Sequence, residues 1–217
     1  MKSGCLKSVA SGLVALASVL CAERALATDV SGTLSSDTTW SASGSPYVVT
    51  GTVLVSEGVK LTVEAGVEVK FSSGTSLQVF GELVAQGTSS SGITFTSAQE
   101  SKAAGGWGQI AFYDSSVDAI YDGNGDYASG SILEYCTVEY GSGILLNLGN
   151  PFINQSTIRY HSGRGIGTDN YNSSNNSATL KITNNTISNN AGGVHLYGLG
   201  TVLILGNTIS NNSVSGS

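Results

Sequence analysis

Apolar and polar residues alternate along most of this chain with the period of a β-strand. Val63, Val67, Val69 and Phe71 alternate with Glu64, Glu68 and Lys70, and Leu180-Lys181-Ile182-Thr183 reads apolar, polar, apolar, polar. A period of two buries one face of an extended segment and wets the other. YVVTGTVLV from residue 47, KLTVEAGVEVKF from 60, SLQVFGELVAQG from 76 and GITFTS from 92 are further short strand pieces, with tight turns after them. Gly and Asn punctuate their ends, as turn conformations favour.

The alternation sits inside a longer repeat. Residues 182–190 read ITNNTISNN and residues 204–212 read ILGNTISNN. The apolar positions Val138, Ile158, Ile187 and Ile209 are spaced by 20, 29 and 22 residues. The long interval contains the polar run NYNSSNNS, residues 170–177, and removing it restores a period of 20–22. Aligned this way, the chain falls into columns: Leu133, Ile153, Ile182, Ile204; then Cys136, Ser156, Asn185, Asn207; then four Thr at 137, 157, 186 and 208; then the four branched residues above. A coil of this length cannot bury its own apolar face. Stacking coils about 4.8 Å apart pairs each strand with its neighbours and makes one continuous core. Residues 98–106 and 113–130 read as polar insertions.

Composition narrows the class. The 29 Gly with only 2 Pro, and 40% apolar residues, fit many tight turns between packed strands rather than disorder. Residues 1–27 have the form of an export signal. Lys2 and Lys7 supply the positive end, Val9 to Cys21 the apolar run, and Ala25-Leu26-Ala27 the cleavage site. Removing it takes Cys5 and Cys21 away, so the mature chain keeps Cys136 alone and no internal disulfide. It also leaves 6 basic against 14 acidic residues, a net charge of −8. That balance argues against nucleic acid or an anionic membrane as a partner. It also repels acidic polysaccharides unless a local basic site or bridging cations intervene. No segment after the signal is long and apolar enough to span a membrane.

ITNNTISNNAGGVHL, LGNTISNN, SILEYCTVEYGSGI and the earlier LTVEAGVEVKF, LQVFGELVAQGT, ITFTS and GGWGQIAF together resemble the right-handed parallel β-helix repeat proteins of the pectate-lyase-like superfamily, exported bacterial type. The strict hexapeptides of a left-handed β-helix are absent. The resemblance implies an all-β solenoid whose coils run three short strands joined by turns. The expected layout is signal peptide 1–27, an N-terminal cap segment 28–46, and the β-helix domain 47–217, C-terminally incomplete because the chain stops just after a coil begins to repeat. Superfamily members include lyases, hydrolases, epimerases, adhesins and passive scaffolds, so function must come from the site.

The columns themselves read as architecture. Asn185 and Asn207 are expected in a ladder of turn amides, with Cys136 and Ser156 in the same column. The Thr column lacks the flat outward rank of an ice-binding face, because the next outward column is Glu139, Arg159, Ser188 and Ser210. Glu139 and Arg159 are expected to pair across adjacent coils as an exposed ion pair. Tyr140 and Tyr160 share a column two residues past the core and are expected to stack inward by strand alternation. Trp107 is expected to pack at a turn–strand junction, and Leu203 and Leu205 to form a small outward apolar patch.

Candidate chemistry lies with residues that break the pattern. The resemblance implies an Arg or Lys base on an outer sheet face, often with Ca²⁺ held by several carboxylates. The catalytic candidates are Arg159, Lys181 and His195, with His161, Arg164 and Asp169 nearby in the sequence; solvated turn and strand positions are the competing reading. Asp122, Asn124 and Asp126 have the D-x-N-x-D spacing of a calcium loop, but Tyr127 and Ala128 replace the Gly that should follow, so a plain turn competes. No organic cofactor is implied. The expected function is a secreted, periplasmic or cell-surface β-helix scaffold without catalysis, contacting polysaccharide or a cell-surface protein. The alternative is a polysaccharide lyase or another carbohydrate-active enzyme.

Overall fold

The computed structural model describes residues 27–169, 178–198 and 200–213. Residues 1–26, on which nearly all of the expected export signal 1–27 falls, and the run 170–177 lie outside it. The chain winds as a right-handed parallel β-helix, each turn laying down one strand on each of three faces. In chain order the strands are β1 (Thr28–Leu34), β2 (Thr38–Trp40) and β3 (Tyr47–Val55), then β4 (Lys60–Val63), β5 (Glu68–Phe71) and β6 (Leu77–Val79). The next coil is β7 (Glu82–Gln86), β8 (Ile93–Ser97) and β9 (Gln109–Tyr113). A hairpin, β10 (Ile120–Tyr121) and β11 (Tyr127–Ser129), then leaves the solenoid. Three full coils follow: β12 (Ile132–Glu134), β13 (Cys136–Glu139), β14 (Gly143–Asn147); β15 (Phe152–Asn154), β16 (Thr157–Arg159), β17 (Arg164–Gly167); β18 (Thr179–Thr183), β19 (Thr186–Ser188), β20 (Gly192–His195). β21 (Thr201–Leu205) and β22 (Thr208–Ser210) form the last described strands.

One face stacks β2-β4-β7-β12-β15-β18-β21. The second stacks β5-β8-β13-β16-β19-β22 and the third β6-β9-β14-β17-β20; the long β3 bends across both and joins them into one sheet. Residues 28–40 carry strands of their own: β1 pairs in parallel with β3, and β2 with β4.

Strand register places like residues on like residues. Trp40, Val63, Ala85, Leu133, Ile153, Ile182 and Ile204 are successive partners down the first face. Val69, Phe95, Val138, Ile158, Ile187 and Ile209 do the same down the second. Both columns are buried until the last coil, where Ile204 and Ile209 are 43% and 48% exposed. The four Thr of the sequence repeat are direct partners. The 20–22-residue period is therefore the coil.

Two tight corners bracket β13, β16, β19 and β22 of the second face. The first residue of each corner has positive φ: Tyr135, Gln155, Asn184 and Gly206 before the strand, Tyr140, Tyr160, Asn189 and Asn211 after it. The second residue of each corner bonds to the coil below. The Cys136 N–H donates to Ser156 Oγ (3.0 Å), the Ser156 N–H to Asn185 Oδ1 (2.9 Å), and the Asn185 N–H to Asn207 Oδ1 (2.9 Å). At the other corner the Gly141 N–H donates to His161 Nδ1 (3.1 Å), the His161 N–H to Asn190 Oδ1 (3.0 Å), and the Asn190 N–H to Asn212 Oδ1 (3.0 Å). The amide ladder expected at Asn185 and Asn207 is present, and a second ladder, not expected, runs parallel to it.

Tyr140 and Tyr160 depart from the expectation of inward stacking. The left-handed turn breaks strand alternation at those positions, so the rings remain half-buried and stack on each other outside the core, centroids 5.2 Å apart.

Asn185 is buried, its Oδ1 accepts from Ser156 and its Nδ2 donates to the Ile153 carbonyl. Asn185→Ala leaves both backbone groups unpaired, so it should cost about 2–4 kcal/mol, read as a lowered urea midpoint. Asn207→Ala, at a half-buried position in the last described coil, should cost less, about 1 kcal/mol.

Candidate functional site

The three catalytic candidates lie on three different faces. Arg159 is on β16, Lys181 on β18 and His195 on β20, and these strands belong to different stacks. Each is already engaged. Arg159 donates from Nε to Glu139 Oε2 (2.9 Å), its second guanidinium contact to the same oxygen is 2.8 Å, and it lies over the Tyr160 ring. Lys181 donates from Nζ to the Gly125 carbonyl at 2.5 Å and sits 3.8 Å from the Tyr121 ring centroid. The His195 ring packs edge-on to Tyr197, centroids 4.3 Å apart.

Glu139 is not the exposed partner that strand alternation implies. Its exposure is 6%, and besides Arg159 it receives Thr96 Oγ1 at 3.0 Å and faces Lys102 Nζ at 3.7 Å. The insertion 98–106 and the buried Trp107 cover it. Trp107 stacks on Phe71 (4.1 Å) and donates its Nε1–H to the Glu139 carbonyl at 2.8 Å. The pair therefore holds a buried charge, unlike a surface ion pair.

His161 is likewise no solvated turn residue. It is 2% exposed and occupies the ladder position held by Asn190 and Asn212 in later coils. With Nδ1 accepting from Gly141, the ring proton must sit on Nε2, which faces the Val138 carbonyl at 3.1 Å. The neutral imidazole thus supplies one acceptor and one donor, as an Asn amide does. Burial pushes its pKa down to about 4.

Arg164 and His195 line one hollow of about 470 Å³ together with Ser162 and Gly163. A smaller hollow of about 230 Å³, which includes Asp169, shares Gly163 and Arg164 with it. The exposed Arg164 donates from a terminal guanidinium nitrogen to the Thr168 carbonyl at 3.2 Å. Cys136 is buried, its thiol directed at the Ala85 and Glu134 carbonyls, and burial pushes the thiol's pKa up, away from a reactive thiolate.

Asp122 to Asp126 form the tip of the β10–β11 hairpin. Asp122 Oδ1 accepts the N–H groups of Asn124 and Asp126, both at 2.9 Å, and these bonds hold its carboxyl below the usual carboxylate range. That oxygen already caps its own turn. Among the described residues no three His, Cys, Asp or Glu side chains converge where they could hold a metal ion. A hard cation wants six or more oxygens.

A hollow of about 560 Å³ lies where this hairpin overhangs the first face. Tyr127 and Phe152 line it, stacked with centroids 6.0 Å apart, beside Glu134, Asn154, Lys181 and Asp126. Sequence reading reached Lys181 and Asp126 separately. It did not join them, because nothing local shows that the hairpin folds back over β18. Among the described residues no helix is long and apolar enough to cross a membrane.

Comparison with known proteins agrees with this architecture. The family model described as a pectate-lyase like beta helix domain matches residues 32–151, more than half of the chain. No curated protein and no solved structure matches it.

Two substitutions separate structural from chemical roles. His161 is uncharged in the fold and has an ordinary value of 6.5 when exposed. The stability this depressed pKa confers is complete above about pH 6.5 and is lost as pH falls toward 4. His161→Asn should keep the ladder and flatten the dependence of the urea midpoint across that window. Arg159→Ala should cost about 1–3 kcal/mol by stranding the buried Glu139 carboxylate, which Lys102 only partly offsets. Thermal melts of the variant and of Arg159→Lys measure this.

Proposed function

The chain belongs to the pectate-lyase-like β-helix domain family, and from that premise we propose that it is an exported β-helix scaffold that holds glycan at its surface and has no catalytic centre in these coils. One observation carries the reading. Arg159, Lys181 and His195, the side chains best suited to general-base work, sit on three separate stacks and each serves a structural contact. A general base must reach the proton it removes, with a charge-stabilising group alongside. Arg159 is spent on Glu139 and Lys181 on the hairpin carbonyl, so neither is poised over an open face. Export is supported by the form of residues 1–27, and the acidic mature chain suits an extracellular setting.

The hollow shared by Arg164 and His195 is where an enzymatic reading has to be tested, since it alone among the three pairs a cation with an imidazole. The purified protein is incubated with uronate polymers and neutral polysaccharides, following ultraviolet absorbance of unsaturated products and release of reducing ends. Neither signal should exceed the no-protein control. Turnover that Arg164→Ala, His195→Ala, Arg159→Ala or Lys181→Ala abolishes while the fold persists overturns the scaffold reading.

A further inference from the structure

The groove beneath the β10–β11 hairpin has a floor built by register. Gln86, Glu134, Asn154 and Thr183 are successive partners on β7, β12, β15 and β18, forming a line of polar side chains along the helix axis. They are bonded to one another. Gln86 Nε2 donates to Glu134 Oε2 (2.9 Å), Asn154 Nδ2 to Glu134 Oε1 (2.7 Å), and Thr183 Oγ1 to Asn154 Oδ1 (2.8 Å). The planar groups are thereby fixed in orientation before any ligand arrives. Tyr127 and Phe152 form an aromatic wall beside them. Tyr127 is held by its hydroxyl, which donates to the Gly130 carbonyl at 2.7 Å. Lys181 pins the hairpin through the Gly125 carbonyl and the Tyr121 ring.

Oriented amides beside aromatic rings suit a sugar chain, which offers hydroxyls on its edges and C–H groups on its faces. A groove along the stacking axis suits a linear ligand crossing several coils. Its charge narrows the choice. Asp126 and Glu134 line it against Lys181 alone, and the ammonium of Lys181 is committed to a carbonyl and a ring. A polymer with a carboxylate on every ring would set like charges against two carboxylates, Glu134 and Asp126, with one ammonium, Lys181, to offset them.

We propose that this groove binds a neutral glycan, a linear oligomer of uncharged hexoses or pentoses, and discriminates against polyuronates. The proposal rests on the glycan-holding reading above and adds the place and the ligand class.

Isothermal titration of the whole protein with cellohexaose, mannohexaose, xylohexaose and hexagalacturonate tests it. At least one neutral hexasaccharide should bind, with hexagalacturonate weaker by on the order of tenfold. Tyr127→Ala should weaken the neutral ligand by roughly three- to tenfold, and Tyr127→Phe, which keeps the ring but loses the bond to Gly130, should weaken it less. Asp126→Asn should strengthen hexagalacturonate relative to the neutral ligand, because it removes a like charge from the lining while the Asp126 backbone N–H that closes the turn is retained. Neutral binding untouched by Tyr127→Ala in a folded variant overturns this site and spares glycan binding elsewhere. Hexagalacturonate binding as tightly as the neutral oligomers overturns the ligand class. Absence of binding by all four at millimolar concentration overturns both this inference and the glycan-holding reading.

Discussion

The later coils, from β12 onward, depend on how the chain turns its two tight corners. Between two stacks of parallel strands it must change direction within two residues, and the second corner residue points its N–H along the axis with no strand partner. A buried N–H left in that state costs about 1–3 kcal/mol. The solution recurs: a left-handed first residue, then a second whose side chain accepts the N–H of the coil above. Asn accepts with its amide oxygen and donates with its amide nitrogen, as Asn185 does to Ile153 and Asn190 to Ile158. Ser156 accepts through its hydroxyl and His161 through Nδ1. The residues differ; the acceptor is common to all.

Each relay has an upper end where an acceptor is no longer needed, and the residue types change there. Cys136 gives its N–H to Ser156 but its thiol accepts nothing, serving instead as a weak donor to two carbonyls. Gly141 ends the second relay, and a Cβ there would lie 2.7 Å from the Trp107 ring. The insertion that delivers Trp107 therefore both stops the ladder and covers Glu139. A cysteine and a glycine that look like irregularities of the repeat mark the points where the later coils meet the wider loops of the earlier ones.

This constraint also decides what the sequence could show. The columns at Leu133, Cys136, Thr137 and Val138 were legible because corner, strand and corner have fixed length, so spacing survives every insertion. The partner corner repeats at the same offset, five residues on, through Asn190 and Asn212, yet His161 and Gly141 hid it: neither resembles Asn until its bonding atoms are seen. Tyr140 and Tyr160 were misplaced because alternation was carried one residue past the strand, into a left-handed turn. Glu139 looked exposed because its cover comes from the insertion before Trp107, more than thirty residues upstream, and a contact of that kind leaves no periodic trace.

The outer faces are released from these demands, which is why polar order found there calls for a different explanation. A ladder inside the corners is required, since water cannot reach those N–H groups. The line from Gln86 to Thr183 lies on an outer face, where water could satisfy Gln86 and Glu134 individually at little cost. Tying these side chains together gives up rotamer freedom, of which Gln and Glu each have about 1.5–2 kcal/mol to lose. The return is a row of oriented donors and acceptors, already immobile, under a hairpin that Lys181 holds in place. Pre-ordering of this kind reduces the entropy lost when a flexible ligand binds. Residues on β7 and β18 form this row only through the register that the corners enforce, so the repeat that concealed any functional motif is also what assembles the groove.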